Sequence, residues 1–204
     1  MTTPDDTRTH ILATAKGLFA AKGFDGTSVR DIVNAAGVNV SLVSYHFGGK
    51  DGLYRACIEQ AGTNRLTIAR DVLAPATSVN DMRGKLTSYI ERSLASFAGD
   101  LETQKIIALE LDLGREVFRD LLQEVFLKIH MTVASFLTAC QAKGWVRADM
   151  DPRLIASMIQ GLIINEARLE QVKKCFFDAS ITDPVHRGHC AAHIVGLVLD
   201  GVVA

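Results

Sequence analysis

This chain of 204 residues has neither a long apolar run nor a surplus of basic charge. Its longest charge-free apolar stretches, residues 154–165 and 188–199, are about a dozen residues against the ~20 that a membrane-spanning helix requires, so they read as buried helices. The opening MTTPDDTRTH has no positively charged leader followed by an apolar stretch, which argues against a secretory or transit peptide and predicts a cytoplasmic protein. Cysteine is scarce. Cys57, Cys140, Cys175 and Cys190 lie far apart with no CxxC spacing, so they are expected to be small buried hydrophobes, not a disulfide framework. No Ser-His-Asp constellation, P-loop, HExxH or dinucleotide fingerprint is present, so neither an enzyme nor a cofactor is expected. Net charge is −1, and residues 1–60 carry six Lys or Arg (Arg8, Lys16, Lys22, Arg30, Lys50, Arg55) against six Asp or Glu (Asp5, Asp6, Asp25, Asp31, Asp51, Glu59). Any binding to nucleic acid must therefore come from local placement of cations.

Proline is equally sparse, and its placement organises the chain. Pro4, Pro75, Pro152 and Pro184 all fall between periodic segments, leaving everything in between free to be helix. There is no alternating strand pattern, internal repeat, low-complexity tract or heptad run, so the fold class is all-α with about nine helices. At 48% hydrophobic, the chain is long enough for one small and one larger domain, each with a core. A first helix puts Ile11, Leu12, Ala15, Leu18 and Phe19 on one stripe and stops at Gly23, and a longer one spans about residues 50–73. Ser78 and Asp81 form a capping box ahead of Met82, Leu86, Tyr89, Ile90 and Phe97, and Gly99, Gly114 and Gly144 punctuate the segments beyond. Over residues 117–140, Phe118, Leu121, Leu122, Val125, Phe126, Ile129, Val133, Phe136, Leu137 and Cys140 recur at helical steps. The last two helices open alike, on Asp151-Pro152 and Asp183-Pro184, with aspartate as N-cap and proline at the first helical position.

The most informative stretch is residues 27–50, TSVRDIVNAAGVNVSLVSYHFGGK. Ser28 caps a short helix while Asp31 bonds back, a capping box that fixes the start. Val29, Ile32, Val33 and Ala36 share one face, and Gly37 comes next, where a left-handed conformation would end the helix. Asn39 or Ser41 caps a second helix whose inward side is Val43 and Phe47. Val40, Ser41, Leu42, Ser44 and Tyr45 then face solvent or a partner, and two outward aliphatics suit thymine methyl groups in a major groove. Two short helices around a turn glycine make a helix-turn-helix, with its core at residues 28–47.

On these residues the chain resembles the tetracycline-repressor (TetR) family of bacterial transcription regulators, from about Thr7 to Tyr54. The resemblance lies in ILATAKGLFAAKGFDGTSV with Phe19, Gly23 and Thr27, in Ala36-Gly37-Val38, in Tyr45-His46-Phe47, and in Lys50 opening the next helix. Val33 stands where such units usually place alanine, and Ser44 where many members carry tyrosine, leaving Tyr45 as the aromatic hydroxyl donor to the DNA backbone. The resemblance implies a DNA-binding domain at residues 1–54, a linking helix over residues 50–73, and a ligand-binding and dimerisation domain over residues 55–204. Carried over residue by residue, Arg30, Val40, Ser41 and Ser44 are candidates for base edges, with Asn39 and Leu42 beside them. Thr27, Ser28, Tyr45, His46 and Lys50 are candidates for phosphates.

The same resemblance implies a homodimer through the last two helices, where Leu154, Ile155, Met158, Ile159, Leu162 and Ile163 would offer an apolar surface. Partners would be a pseudo-palindromic double-stranded operator and a small-molecule effector whose binding releases the DNA. Candidate pocket residues are Glu110, Phe118, Phe126, His130, Met131, Phe136, Met158, Gln160 and Asn165. His186, His189, Cys190 and His193 lie within an arc of about 100° at the start of the final helix, at spacings that suit metal ligands. They leave open a metal- or pH-responsive regulator, and a TetR-like interaction module without DNA binding is a further alternative.

Overall fold

Aspartate, serine and proline start several helices of this chain, and glycines in the left-handed region stop others. The computed structural model describes residues 4–113, 119–121 and 123–202, and those residues form ten α-helices and no strand. The elements are α1 (Pro4–Lys22), α2 (Val29–Ala36), α3 (Ser41–Phe47), α4 (Lys50–Val72), α5 (Val79–Ala98) and α6 (Leu101–Leu113). A π-helical turn (Gln123–Leu127) then leads into α7 (Lys128–Gln141), α8 (Pro152–Arg168), α9 (Glu170–Phe177) and α10 (Pro184–Val202). The expected all-α class, a helix-turn-helix followed by a helical C-terminal domain, is what the chain adopts. Phe118, Leu122 and Gly114 lie outside the described residues.

Two departures from the expected elements have physical causes. The stripe expected over residues 117–140 is interrupted by the π turn, which shifts the helical register, and Val125 and Phe126 within it are half-buried instead of core. The last two helices do not follow one another directly, because α9 intervenes. Leu169 (φ −86°, ψ 4°) breaks the helix with no proline or glycine to announce it. The buried Glu170 carboxylate explains the break: it accepts a hydrogen bond from the Ile181 amide at 2.9 Å and another from the Ser180 hydroxyl. A tertiary hydrogen bond of this kind leaves no local pattern in the sequence.

The residues divide into two compact units. One comprises those up to Gly62 with those between Leu101 and Leu121, and the other those from Thr63 to Asp100 with those from 123 onward. The first buries Ile11, Leu12, Ala15 and Phe19 of α1 with Ile32 and Val33 of α2, Val43 of α3, Leu53 and Tyr54 of α4, and Ile106 of α6. Phe19 and Phe24 both meet the Tyr54 ring edge-on, at 4.7 and 4.9 Å between centroids. The Thr27 hydroxyl donates to the carbonyls of Gly23 (2.8 Å) and Leu18 (3.3 Å), so this buried side chain closes the end of α1. The second unit packs α5 against α8 and α10, and α7 against α8, around Leu86, Ile90, Leu94, Val133, Leu137, Ile159 and Leu199.

Replacing Thr27 by valine keeps the shape and removes a buried hydroxyl that serves two backbone carbonyls. Thr27→Val should destabilise the fold by about 1–2 kcal/mol, read as a lower urea midpoint at unchanged slope. An unchanged midpoint would contradict this structural role.

Candidate functional site

The site is built by two turns. At the start of α2, the Ser28 hydroxyl accepts from the Asp31 amide (3.1 Å), and the Asp31 carboxylate accepts from the Ser28 amide (2.9 Å) and hydroxyl (2.7 Å). This is the expected capping box, and the Ser28 side chain holds the Asp31 carboxyl below the ordinary aspartate range. The cap is thus complete at neutral pH and is lost as pH falls through that lowered value. At the other end Gly37 sits at φ +65°. Its amide donates to Asn34, and the Val38 amide donates to the Val33 carbonyl at 3.1 Å, the paired bonds of a Schellman stop. Nothing lies within 4 Å of the Cβ that another residue would bring to position 37, so glycine is needed there for its backbone and not for space.

Asn39 opens α3. Its side-chain carbonyl accepts from the Ser41 amide and the Ser41 hydroxyl, both at 2.9 Å. Val43 is wholly buried and Phe47 half-buried, as expected of the inward side. Val40 is 53% and Tyr45 80% exposed, with Ser41 and Ser44 exposed beside them. Leu42, expected to face outward, is half-buried, so Val40 alone of the two aliphatics stands out from the helix. The Tyr45 and His46 rings meet edge-on at 4.9 Å.

The candidate phosphate ligands divide. Thr27 is buried with its hydroxyl engaged inside the unit, which removes that side chain from the exposed set, and the Ser28 hydroxyl is committed to its cap. Lys50 stands over the Phe24 ring, its Nζ 4.1 Å from the centroid, which fixes an ammonium that would otherwise be free to sweep. Arg30 is exposed on the first turn of α2. Sequence reasoning missed Arg8, whose guanidinium lies 5.2 Å from the centre of the Phe47 ring and so brings an exposed cation to α3 from α1. It also missed His10, whose Nε2 pairs with the Ala36 carbonyl at 3.0 Å and ties α1 to the end of α2. Neither contact has a spacing signature, since each joins residues distant in sequence.

The candidate pocket residues are not all brought together. Glu110 belongs to the first unit, where its buried carboxylate accepts the Tyr54 hydroxyl at 2.6 Å, because α6 folds with the N-terminal helices. In the second unit His130 Nδ1 pairs with the Gln160 side-chain oxygen at 3.1 Å. Gln160 and Ser93 both bond to the side chain of Tyr89, whose hydroxyl is pushed up by burial. Met131 and the buried Phe136 line a groove of about 510 Å³ with Leu73, Pro75, Cys140 and Lys143. Phe126 is half-buried, whereas Met158, 60% exposed, and Asn165 face away from the core. Sequence reasoning also missed Arg65. This residue is 5% exposed and stacked 3.9 Å over Phe97, and its Nε and one terminal nitrogen have no hydrogen-bond acceptor. Burial brings its guanidinium down to about 10, against the opposing pull of Asp100 and Tyr89.

The expected apolar surface of α8 splits in the same way. Ile155, Ile159 and Ile163 are core and Leu162 is half-buried, while Leu154 and Met158 remain exposed and are joined by Ile164. The residues 154–165 and 188–199 are therefore amphipathic helices, not uniformly buried ones, with Leu197 of α10 exposed too. Of the four candidate metal ligands, His186 and Cys190 come together, with Sγ 3.3 Å from Nε2. His189 and His193 are exposed and bond to one another through His193 Nδ1 and the His189 carbonyl.

A short exposed helix held to its predecessor by a glycine stop is the geometry of a helix-turn-helix. Residues 11–57 match the family model described as bacterial regulatory proteins, tetR family. The HTH-type transcriptional regulator RutR of Escherichia coli (strain K12) is 24% identical over 195 residues, covering 94% of this chain and 88% of RutR. The "Probable HTH-type transcriptional regulator YttP" of Bacillus subtilis (strain 168) is 46% identical over 54 residues, and that match covers 26% of each chain. Among solved structures, FadR from Bacillus subtilis in complex with stearoyl-CoA is similar, with a TM-score of 0.76 at 20% identity, covering 95% of this chain and 98% of that one. PfmR from Thermus thermophilus gives 0.74 at 18% identity, covering 93% and 97%. At such identities these likenesses establish the fold. Residues 11–57 thus match the DNA-binding segment of the tetR family, and the chain as a whole is similar to HTH-type transcriptional regulators and shares the fold of TetR-family structures. No helix among the described residues is long and apolar enough to cross a membrane.

A buried cation without a full set of acceptors costs stability unless something supplies them. Arg65→Met, which keeps the apolar stem and drops the charge, should leave the urea midpoint unchanged or raise it. A clear fall would mean that stacking on Phe97 outweighs the desolvation of the guanidinium.

Proposed function

We propose that this protein is a TetR-family transcriptional regulator, a homodimeric repressor that binds a two-fold related operator and is released when a small molecule occupies the helical unit that begins at Thr63. The observation that carries the reading is the outward face of α3: Val40, Ser41, Ser44 and Tyr45 are exposed while Val43 beneath them is buried. Short hydroxyl side chains and one methyl-bearing side chain let a helix approach base edges closely, and Asn39 at its start and Arg30 on α2 supply the amide and the guanidinium that read adenine and guanine. Tyr45, His46 and Lys50, with Arg8, take the phosphates. The Lys50 ammonium held over Phe24 and the Arg8 guanidinium beside Phe47 arrive with part of their ordering cost already met.

Dimerisation is supported by the apolar side chains left exposed on the two long C-terminal helices, Leu154, Met158 and Ile164 on α8 and Val185 and Leu197 on α10. The domains in this reading are residues 1–54 for DNA and 55–204 for ligand and partner. An effector site in the second unit is supported by the polar set inside it, where Tyr89, Ser93, His130 and Gln160 are linked by hydrogen bonds and two nitrogens of Arg65 lack acceptors. FadR, similar in fold, is in complex with stearoyl-CoA. Here the buried guanidinium favours an effector with an acidic group on an apolar body. Such a molecule releases DNA only if it binds the DNA-incompetent state more tightly.

Binding of the purified protein to labelled DNA from beside its own gene, and to random DNA, tests the assignment. Lys50→Ala should weaken both alike by several-fold. Arg30→Ala should weaken the specific site by roughly tenfold and random DNA little, since one base contact is worth about 1–3 kcal/mol. Equal losses on both DNAs for Arg30→Ala would refute the division, and absence of any retardation at low salt would favour an interaction module.

A further inference from the structure

Three side chains capable of binding a metal converge where α8 meets α10. Glu166 comes from the end of α8, and His186 and Cys190 stand one turn apart on α10. One ligand atom from each lies within 4.8 Å of the other two. The Cys190 sulfur is 3.3 Å from His186 Nε2 and 3.5 Å from Glu166 Oε2. A tetrahedral zinc ion with sulfur at about 2.3 Å and nitrogen or oxygen at about 2.0–2.1 Å separates its ligand atoms by roughly 3.3–3.6 Å, so these two edges need almost no adjustment. The carboxylate also comes from a second helix, the ligand-bearing segment that the α10 residues alone did not offer. His189 and His193, on the exposed side of α10, take no part.

We propose that Glu166, His186 and Cys190 form a zinc site with water in the fourth position, clamping α8 to α10. All three side chains are half-buried, as a closed tri-dentate site requires. Binding replaces the thiol proton, which passes to solvent, by the divalent cation, so one proton is released for each ion bound. Lys173 of α9 competes, because its ammonium pairs with the same Glu166 Oε2. The ion would take this Oε2, which faces Cys190, so the ammonium must withdraw when the ion binds. The site lies on the two helices whose outer faces carry the exposed apolar residues, and a clamp between them would stiffen the surface offered to a second copy. The metal reading does not require DNA binding, and its test uses none.

Cobalt(II), titrated alone into the metal-free full chain, is the probe. Thiolate coordination should produce a charge-transfer band in the near ultraviolet at one ion per chain, and zinc should abolish it by displacement. Cys190→Ser should remove the band. His186→Ala or Glu166→Gln should weaken binding at least tenfold, while His189→Ala leaves it unchanged and Lys173→Met tightens it several-fold by removing the competitor. Circular dichroism of each metal-free variant controls for folding. Absence of the band in the wild type, its persistence in Cys190→Ser, or an equal loss in His189→Ala would overturn the site, and none of these outcomes bears on operator binding.

Discussion

A helix of seven residues cannot hold its own shape in water, and the function proposed for this protein depends on one that must. What holds α3 is the complete burial of Val43 beneath it, an asparagine cap at its start and a left-handed glycine on either side, Gly37 before and Gly48 after. Val43 lies on the side opposite the exposed face, so that face can vary while the packing beneath it stays the same. The scaffold in turn rests on the aromatic cluster of Phe19, Phe24 and Tyr54, the last anchored through its hydroxyl to Glu110 on α6.

The second unit follows a different rule. Its helices α8 and α10 bury one side and leave Leu154, Met158, Ile164, Val185 and Leu197 exposed on the other, and its interior contains hydrogen-bonded polar groups and a guanidinium short of acceptors. A domain selected only for stability would fill that interior with aliphatic side chains. In the proposed function those polar groups would meet an effector, and the exposed apolar side chains of α8 and α10 a second copy of the chain.

Legibility in the sequence tracked the range of the interaction. The capping box at Ser28 and Asp31, the stop at Gly37, and the Asp-Pro starts of α8 and α10 are all local, and the structure has each of them. What escaped was mostly made by distant pairs: Glu170 reaching to Ile181 and so creating α9, Glu110 joining the N-terminal unit, and Arg8 lying against Phe47. Helical periodicity also gave the apolar side of α8 as one broad surface. Only the packing separates Ile155 and Ile159, which face the core, from Leu154 and Met158, which do not. Arg65 had no signature at all, since an arginine in a helix is ordinarily solvated and only its neighbours reveal that this one is not.

The most direct measurement is a nuclease footprint of the purified protein across the DNA flanking its own gene, at physiological salt. The account predicts a protected, two-fold related site whose half-site centres lie about 34 Å apart along one face of the duplex. Protection of a single half-site by a protein that remains monomeric, or no protection anywhere, would contradict it.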